Sequence, residues 1–163
     1  MHPGLRGDEK GYLCLLTYEY RLNSVFEGAI IMHARKFTKY PKHVSIRAIR
    51  GAIQVRDNSL EALQVAVPRL LTELFEANEI AFSAGVSILF TATPDLTADF
   101  PAAAARSLPI GDLPLICASE IDVEGALPRV VRVLVHVETD KARSEIRHVY
   151  LDGAEVLRKD LAQ

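Results

Sequence analysis

The chain has 163 residues, 49% of them hydrophobic and 25% charged, with a formal net charge of −2. These figures fit one soluble domain with a sizeable core. The lack of a basic excess argues against a nucleic-acid binder, and no apolar run reaches the ~20 residues that cross a bilayer. The one leader-like segment, Tyr12 to Tyr18, is short and follows Asp8 and Glu9, where a signal peptide carries basic residues. Cys14 and Cys117 lie far apart and offer neither metal-ligand spacing nor a disulfide framework, so a reducing cytoplasm is expected.

Organisation changes near residue 44. Residues 1–43 mix a short apolar run with the basic, aromatic stretch ARKFTKYPKH and contain no amphipathic repeat. Basic residues attract phosphate and aromatics stack on bases, so this stretch could serve as a nucleic-acid or membrane-surface arm. The preferred expectation is a loosely ordered extension, because a terminal segment that buries little apolar area cannot offset its ordering entropy. It also reads as an upstream translated segment, with the functional chain starting at Met32 or Val44.

From Val44 onward the patterns follow one another closely. VSIRAIRGAIQV, Val44 to Val55, is a strand ending in the polar turn Arg56-Asp57-Asn58. Asn58 and Glu61 have capping-box spacing, and Leu60, Leu63, Val67, Leu70, Leu71, Leu74 and Phe75 then recur at helical spacing. Pro68 should kink this helix or tighten its middle. Gly85 to Thr93 is an almost continuous apolar run suited to a buried strand. Asp99 and Pro101 start a short helix, FPAAAARSL. Leu113 to Val123 and Arg129 to Glu138 are the next two strands. Asp152-Gly153 between IRHVYL and AEVLR carries a hairpin signal. The order β, α, β, short α, β, β, β predicts an α+β, or mixed α/β, fold: a mixed β-sheet packed on one long and one short helix.

Three arginines, Arg50, Arg106 and Arg132, interrupt otherwise apolar patterns, and Cys117 and Glu120 share one strand. A guanidinium is permanently charged and its rigid fork matches a carboxylate, so several in one cleft suit a small dicarboxylate. Each residue also has a plainer reading. Arg132 on a valine-rich strand serves as an edge charge that discourages aggregation, and Glu120 then simply pairs with it. Cys117 reads as a small buried hydrophobe, and Tyr150 as ordinary strand material. His136 and His148 fit no zinc spacing and no triad, so structural roles are expected for both. No glycine-rich phosphate loop or nucleophile elbow occurs.

Taken in order, IRGAIQV, TATPDLTADFPAAAAR, CASEIDVEGALPRVVRVLVHV and IRHVYLDGAEVLRKDL closely resemble the small monofunctional chorismate mutases of the AroH class, the trimeric non-helical type. The resemblance runs from Ile46 to about Leu161. It implies an enzyme of the shikimate pathway that turns chorismate into prephenate, without metal or cofactor, by an intramolecular Claisen rearrangement. A pericyclic step requires no nucleophile, so catalysis must come from holding a flexible dianion in its reactive conformer and stabilising developing charge.

The resemblance also implies roles. Arg50 and Arg132 would bind the carboxylate and the ether oxygen, with Arg132 at the oxygen that gains charge, while Glu120 and Cys117 would contact the ring hydroxyl end. Tyr150 would hold a carboxylate, and Phe100, Ala102 and Leu157 would form apolar walls. Arg106 would be a carboxylate contact near the entrance. The cleft would lie between subunits of a homotrimer forming a pseudo-α/β-barrel, with residues 44–163 as the enzyme domain. The chain departs from the family pattern at Ala103, where some relatives carry lysine, at Ile116, where a threonine can stand, and at Lys159, in place of a frequent proline. Two competing readings use the same arginines: a non-catalytic trimer that binds a small carboxylate, and a trimeric imine or enamine deaminase. Glu120 beside Cys117, together with Arg132, favours the mutase.

Overall fold

The computed structural model describes residues 44–158, which belong to one compact unit, Tyr40–Gln163. The expectation for residues 1–43, and with it Cys14, lies outside the described residues, as does Lys159. Five strands form one mixed sheet: β1 (Ser45–Gln54), β2 (Gly85–Ala92), β3 (Leu115–Ser119), β4 (Val130–Thr139) and β5 (Val149–Leu151). Their spatial order is β3-β2-β4-β1-β5. The two ten-residue strands, β1 and β4, pair antiparallel over their whole length, from Ser45 opposite Thr139 to Gln54 opposite Val130. β2 is antiparallel to β4, while β3 and β5 run parallel to β2 and β1 at the two edges.

Two helices, α1 (Leu60–Ala77) and α2 (Pro101–Ala105), cover one face of this sheet. The apolar stripe of α1 is buried as its period requires: Leu63, Val67, Leu70, Leu71, Leu74 and Phe75 meet Ile49, Ile53, Val131, Val133, Val135 and Val137 from the sheet. Gly51 lets them approach. A Cβ there would lie 3.0 Å from both Leu74 Cδ1 and Val133 Cγ2, so the missing side chain allows α1 to sit close on the sheet. The helix runs through Pro68 as a single element instead of breaking there. The carbonyl deprived of its partner belongs to Gln64 on the exposed side, where water can replace the lost bond.

Several local expectations are corrected. The α1 cap is Ser59, whose Oγ accepts the Ala62 N–H at 3.2 Å, so Asn58 and Glu61 form no capping box. Asn58 Oδ1 instead accepts the N–H groups of Thr97 and Ala98, pinning the loop after β2. Asp99 Oδ1 accepts the Phe100 N–H, and Phe100 occupies the N-cap of an α2 that ends at Ala105, shorter than FPAAAARSL. β3 stops at Ser119. The Glu120 N–H still bonds to the Ala92 carbonyl, and Ile121 beyond it is 86% exposed. Asp152 and Gly153 do adopt positive φ, 54° and 99°, but they close no hairpin. β5 adds to the free edge of β1, and Ala154–Arg158 forms a 3-10 turn whose Ala154 is buried against Ala52 and Val130. The same left-handed dipeptide that closes a hairpin here turns the chain onto a buried anchor.

Candidate active site

The sheet face turned away from the helices carries the candidate site. On β4 the odd-numbered residues Val131, Val133, Val135 and Val137 enter the core, which sends Arg132 and Leu134 to the opposite face. Register then aligns Ala52 on β1, Arg132 on β4 and Thr91 on β2 in one row. Because β4 is the central strand, Arg132 is no edge charge. A guanidinium in mid-sheet is accounted for by a partner or a ligand.

A cavity of about 350 Å³ opens on this face, lined by Arg50, Ala52, Leu89, Thr91, Arg132, Leu134, Tyr150, Leu157 and Arg158 and by the backbone of Gly51 and Val133. Glu120 reaches its wall from the end of β3. Its Oε2 accepts from Arg132 Nη1 at 2.5 Å and its Oε1 from the Thr91 hydroxyl at 2.5 Å. The Glu120 side chain is only 12% exposed against 42% for Arg132. The carboxylate therefore forms the fixed base of the pair, and the guanidinium presents its remaining donors to the cavity. Arg50 and Arg132 place two guanidiniums on the lining against the one carboxylate of Glu120, a positive balance that suits a small anionic ligand.

His148 lies at the back of this wall. The Arg50 main-chain N–H donates to its Nδ1 at 3.1 Å. Burial, and then the charges of Arg50 and Arg158, hold the His148 pKa below the ordinary histidine value.

The nine residues singled out from sequence fall into two groups. Arg50, Arg132, Tyr150 and Leu157 line the cavity, and Glu120 joins them through Arg132. Phe100, Ala102, Arg106 and Cys117 do not line it. They gather around α2 and the edge strand β3, where the Ala102 N–H donates to Cys117 Sγ at 3.4 Å and Arg106 Nη1 donates to the Gly111 carbonyl at 2.9 Å. Phe100 is 70% exposed. Cys117 is opposite buried Phe90 in register and packs against the core, on the helix side of the sheet. Two polar lining residues escaped sequence reading. Thr91 alternates with Leu89 on the site face of β2, and Arg158 adjoins Leu157; the periodicity of β2 carried the first signal, but nothing in AEVLR distinguished the second. Among the described residues no group of three or more His, Cys, Asp or Glu side chains could hold a metal ion. No helix among them is long and apolar enough to cross a membrane.

Residues 46–161 match the family model for chorismate mutase type I. Over 117 residues the chain is 45% identical to "Chorismate mutase AroH" of Thermus thermophilus, a match covering 71% of this chain and 96% of that protein. It is 42% identical over 118 residues to "Chorismate mutase AroH" of Bacillus subtilis (strain 168), covering 72% and 93%. The solved structure of chorismate mutase from Clostridium thermocellum superposes with a TM-score of 0.66 at 45% identity, covering 68% of this chain and 98% of that one.

Proposed function

We propose a division of labour for these residues from one premise: the chain belongs to the chorismate mutase type I family, and is thus an isomerase converting chorismate to prephenate in aromatic amino acid biosynthesis. In that reaction the ether C–O bond breaks as a new C–C bond forms within the same molecule. Negative charge gathers on the ether oxygen in the transition state, so a donor aimed there accelerates the step more than it strengthens substrate binding. Arg132 fills this role. Glu120, held by Thr91, fixes the guanidinium in advance, and Arg50, Tyr150 and Arg158 take the carboxylates that must be clamped to keep the chair-like conformer. The supporting observation is the Arg132–Glu120–Thr91 chain of hydrogen bonds, which holds a preorganised guanidinium at a cavity also lined by Arg50.

The second group of residues supplies the remaining wall from a neighbouring copy. Phe100, Ala102 and Arg106 belong to α2 and its caps and Cys117 to the edge strand β3, which also exposes Ile116 at 63% and is followed by Ile121 at 86% exposure. An unpaired sheet edge with large apolar residues favours cover by another chain, and a homotrimer with its sites between subunits brings the two groups together. Every residue assigned a role lies after Val44, so residues 44–163 carry the activity.

Replacing Arg132 by glutamine tests the central assignment. In a folded variant kcat should fall by roughly 100- to 1,000-fold with a smaller change in KM, as when one preorganised donor is lost. Arg132→Lys should recover part of the rate, keeping the charge but not the fork. A raised KM with kcat unchanged would make Arg132 a carboxylate anchor instead.

A further inference from the structure

The residue behind Arg50 has no role in the scheme above. β1 is bonded to β4 along one edge, but along the other the ladder with β5 begins only at Gly51 opposite Val149. One residue earlier, the Arg50 main-chain N–H is taken by the Nδ1 of His148, so a side chain extends the sheet by one rung. A neutral imidazole has one lone pair, and Nδ1 accepts only while the proton sits on Nε2.

His148 is itself anchored through its neighbour. Asn78, wholly buried at the C-terminal end of α1, accepts the Arg147 N–H with Oδ1 and donates to the Arg147 carbonyl with Nδ2, each at 2.8 Å. Continuous contacts thus run from the end of the long helix through Arg147 and His148 to Arg50. Two residues beyond His148, Tyr150 forms another part of the cavity lining on a strand of only three residues. A strand this short has little pairing of its own to hold its register.

We propose that His148 is a positioning residue for the rearrangement: as a neutral acceptor for the Arg50 N–H it staples β1 to β5 and sets the spacing of Arg50 and Tyr150 across the substrate cleft. The proposal rests on the assignment of those two residues to that cleft. Around the ring, Arg50 approaches from β1 and Arg158 from the 3-10 turn, and both disfavour a second proton. On its other side His148 borders a second cavity with Lys141, Arg143 and Arg147. The two carboxylates there are engaged, Glu79 with Lys141 Nζ at 2.9 Å and Glu145 with the Ala142 N–H. Protonation turns Nδ1 from an acceptor into a donor facing another donor. The staple is therefore present at neutral and alkaline pH and lost as pH falls through a value below the ordinary ~6.5.

The test uses the full chain with chorismate as substrate, measuring KM and kcat between about pH 5 and pH 8. His148→Leu removes the acceptor, whereas His148→Asn places a non-titrating Oδ1 near the position of Nδ1. At neutral pH His148→Leu should raise KM roughly fivefold, the factor of about one net hydrogen bond, with kcat within about twofold. Wild-type kcat/KM should decline on the acid side, and His148→Asn should keep the neutral KM while losing that decline. An unchanged KM in His148→Leu, a wild type without an acid limb, or an Asn variant that retains it overturns the proposal. If His148→Leu does not fold, the pH profile of His148→Asn still decides. Arg50→Ala, measured alongside, separates the two readings. Unimpaired turnover there means that Arg50 is outside the cleft, whereas impaired turnover with an unaffected His148→Leu removes only the positioning role.

Discussion

Arg132 and Glu120 illustrate how burial divides the roles within one ion pair. An ion pair is weak evidence of stability when both partners are exposed. Here the carboxylate is nearly enclosed and has Thr91 on its second oxygen, so both its oxygens are satisfied, while the guanidinium stays half open with donors in reserve. Cys117 shows the opposite case. Its sulfur accepts one weak N–H bond from Ala102 and packs on the helix side of the sheet, away from Arg132. A serine replaces that contact with another acceptor, so Cys117→Ser should keep at least roughly a tenth of the wild-type kcat, because only one weak hydrogen bond changes. Steady-state turnover of chorismate measures this. Complete loss in a folded variant, or labelling of Cys117 by substrate, would indicate covalent chemistry instead.

At the scale of elements, the site depends on how closely α1 lies on the sheet that carries Arg50 and Arg132. Gly51 sits between those two requirements, with its Cα facing Leu70 and Leu74 and its backbone lining the cavity. Gly51→Ala should destabilise the fold by about 1–3 kcal/mol, the usual cost of inserting a methyl group into a filled core. Thermal unfolding should register the loss as a lower Tm. An unchanged Tm would show that the leucine ends move aside freely. The helix ends follow a finer logic that their sequences only partly display. Ser59 and Asn58 are both good capping residues, and which one caps is decided by the loop donors at Thr97 and Ala98, which claim Asn58. Asn78 gives no local sign of its task, since both partners on Arg147 lie 69 positions away.

For the whole molecule, the division of the nine residues into a cleft group and an edge group has a direct consequence. If each site combines the cleft group of one chain with the edge group of the next, two impaired variants can restore each other. Arg132→Ala chains contribute an intact edge group, and Arg106→Ala chains an intact cleft group. After unfolding and refolding together in equal amounts, roughly a quarter of the sites should pair two intact halves. Activity should then exceed the sum of the separately refolded variants, and light scattering should report a trimer. A monomer that turns over chorismate, or a mixture no more active than its parts, would rule out the shared site.

Much of the fold was legible because it depends on short-range periodicity. The strands and helices appear in the expected order, and the long helix buries the apolar stripe that its period marks out. The catalytic family followed from ordered motifs. What the sequence could not determine was neighbourhood across the chain. That β4 is central, and Arg132 therefore no edge charge, follows from strand order, which local pattern does not encode. A hairpin and a 3-10 turn anchored by Ala154 use the same Asp-Gly conformations, so only the buried contact with Ala52 and Val130 selects between them. Glu120, Thr91 and His148 acquire their partners through register between strands far apart in sequence, and these hydrogen bonds exist only once the sheet has assembled.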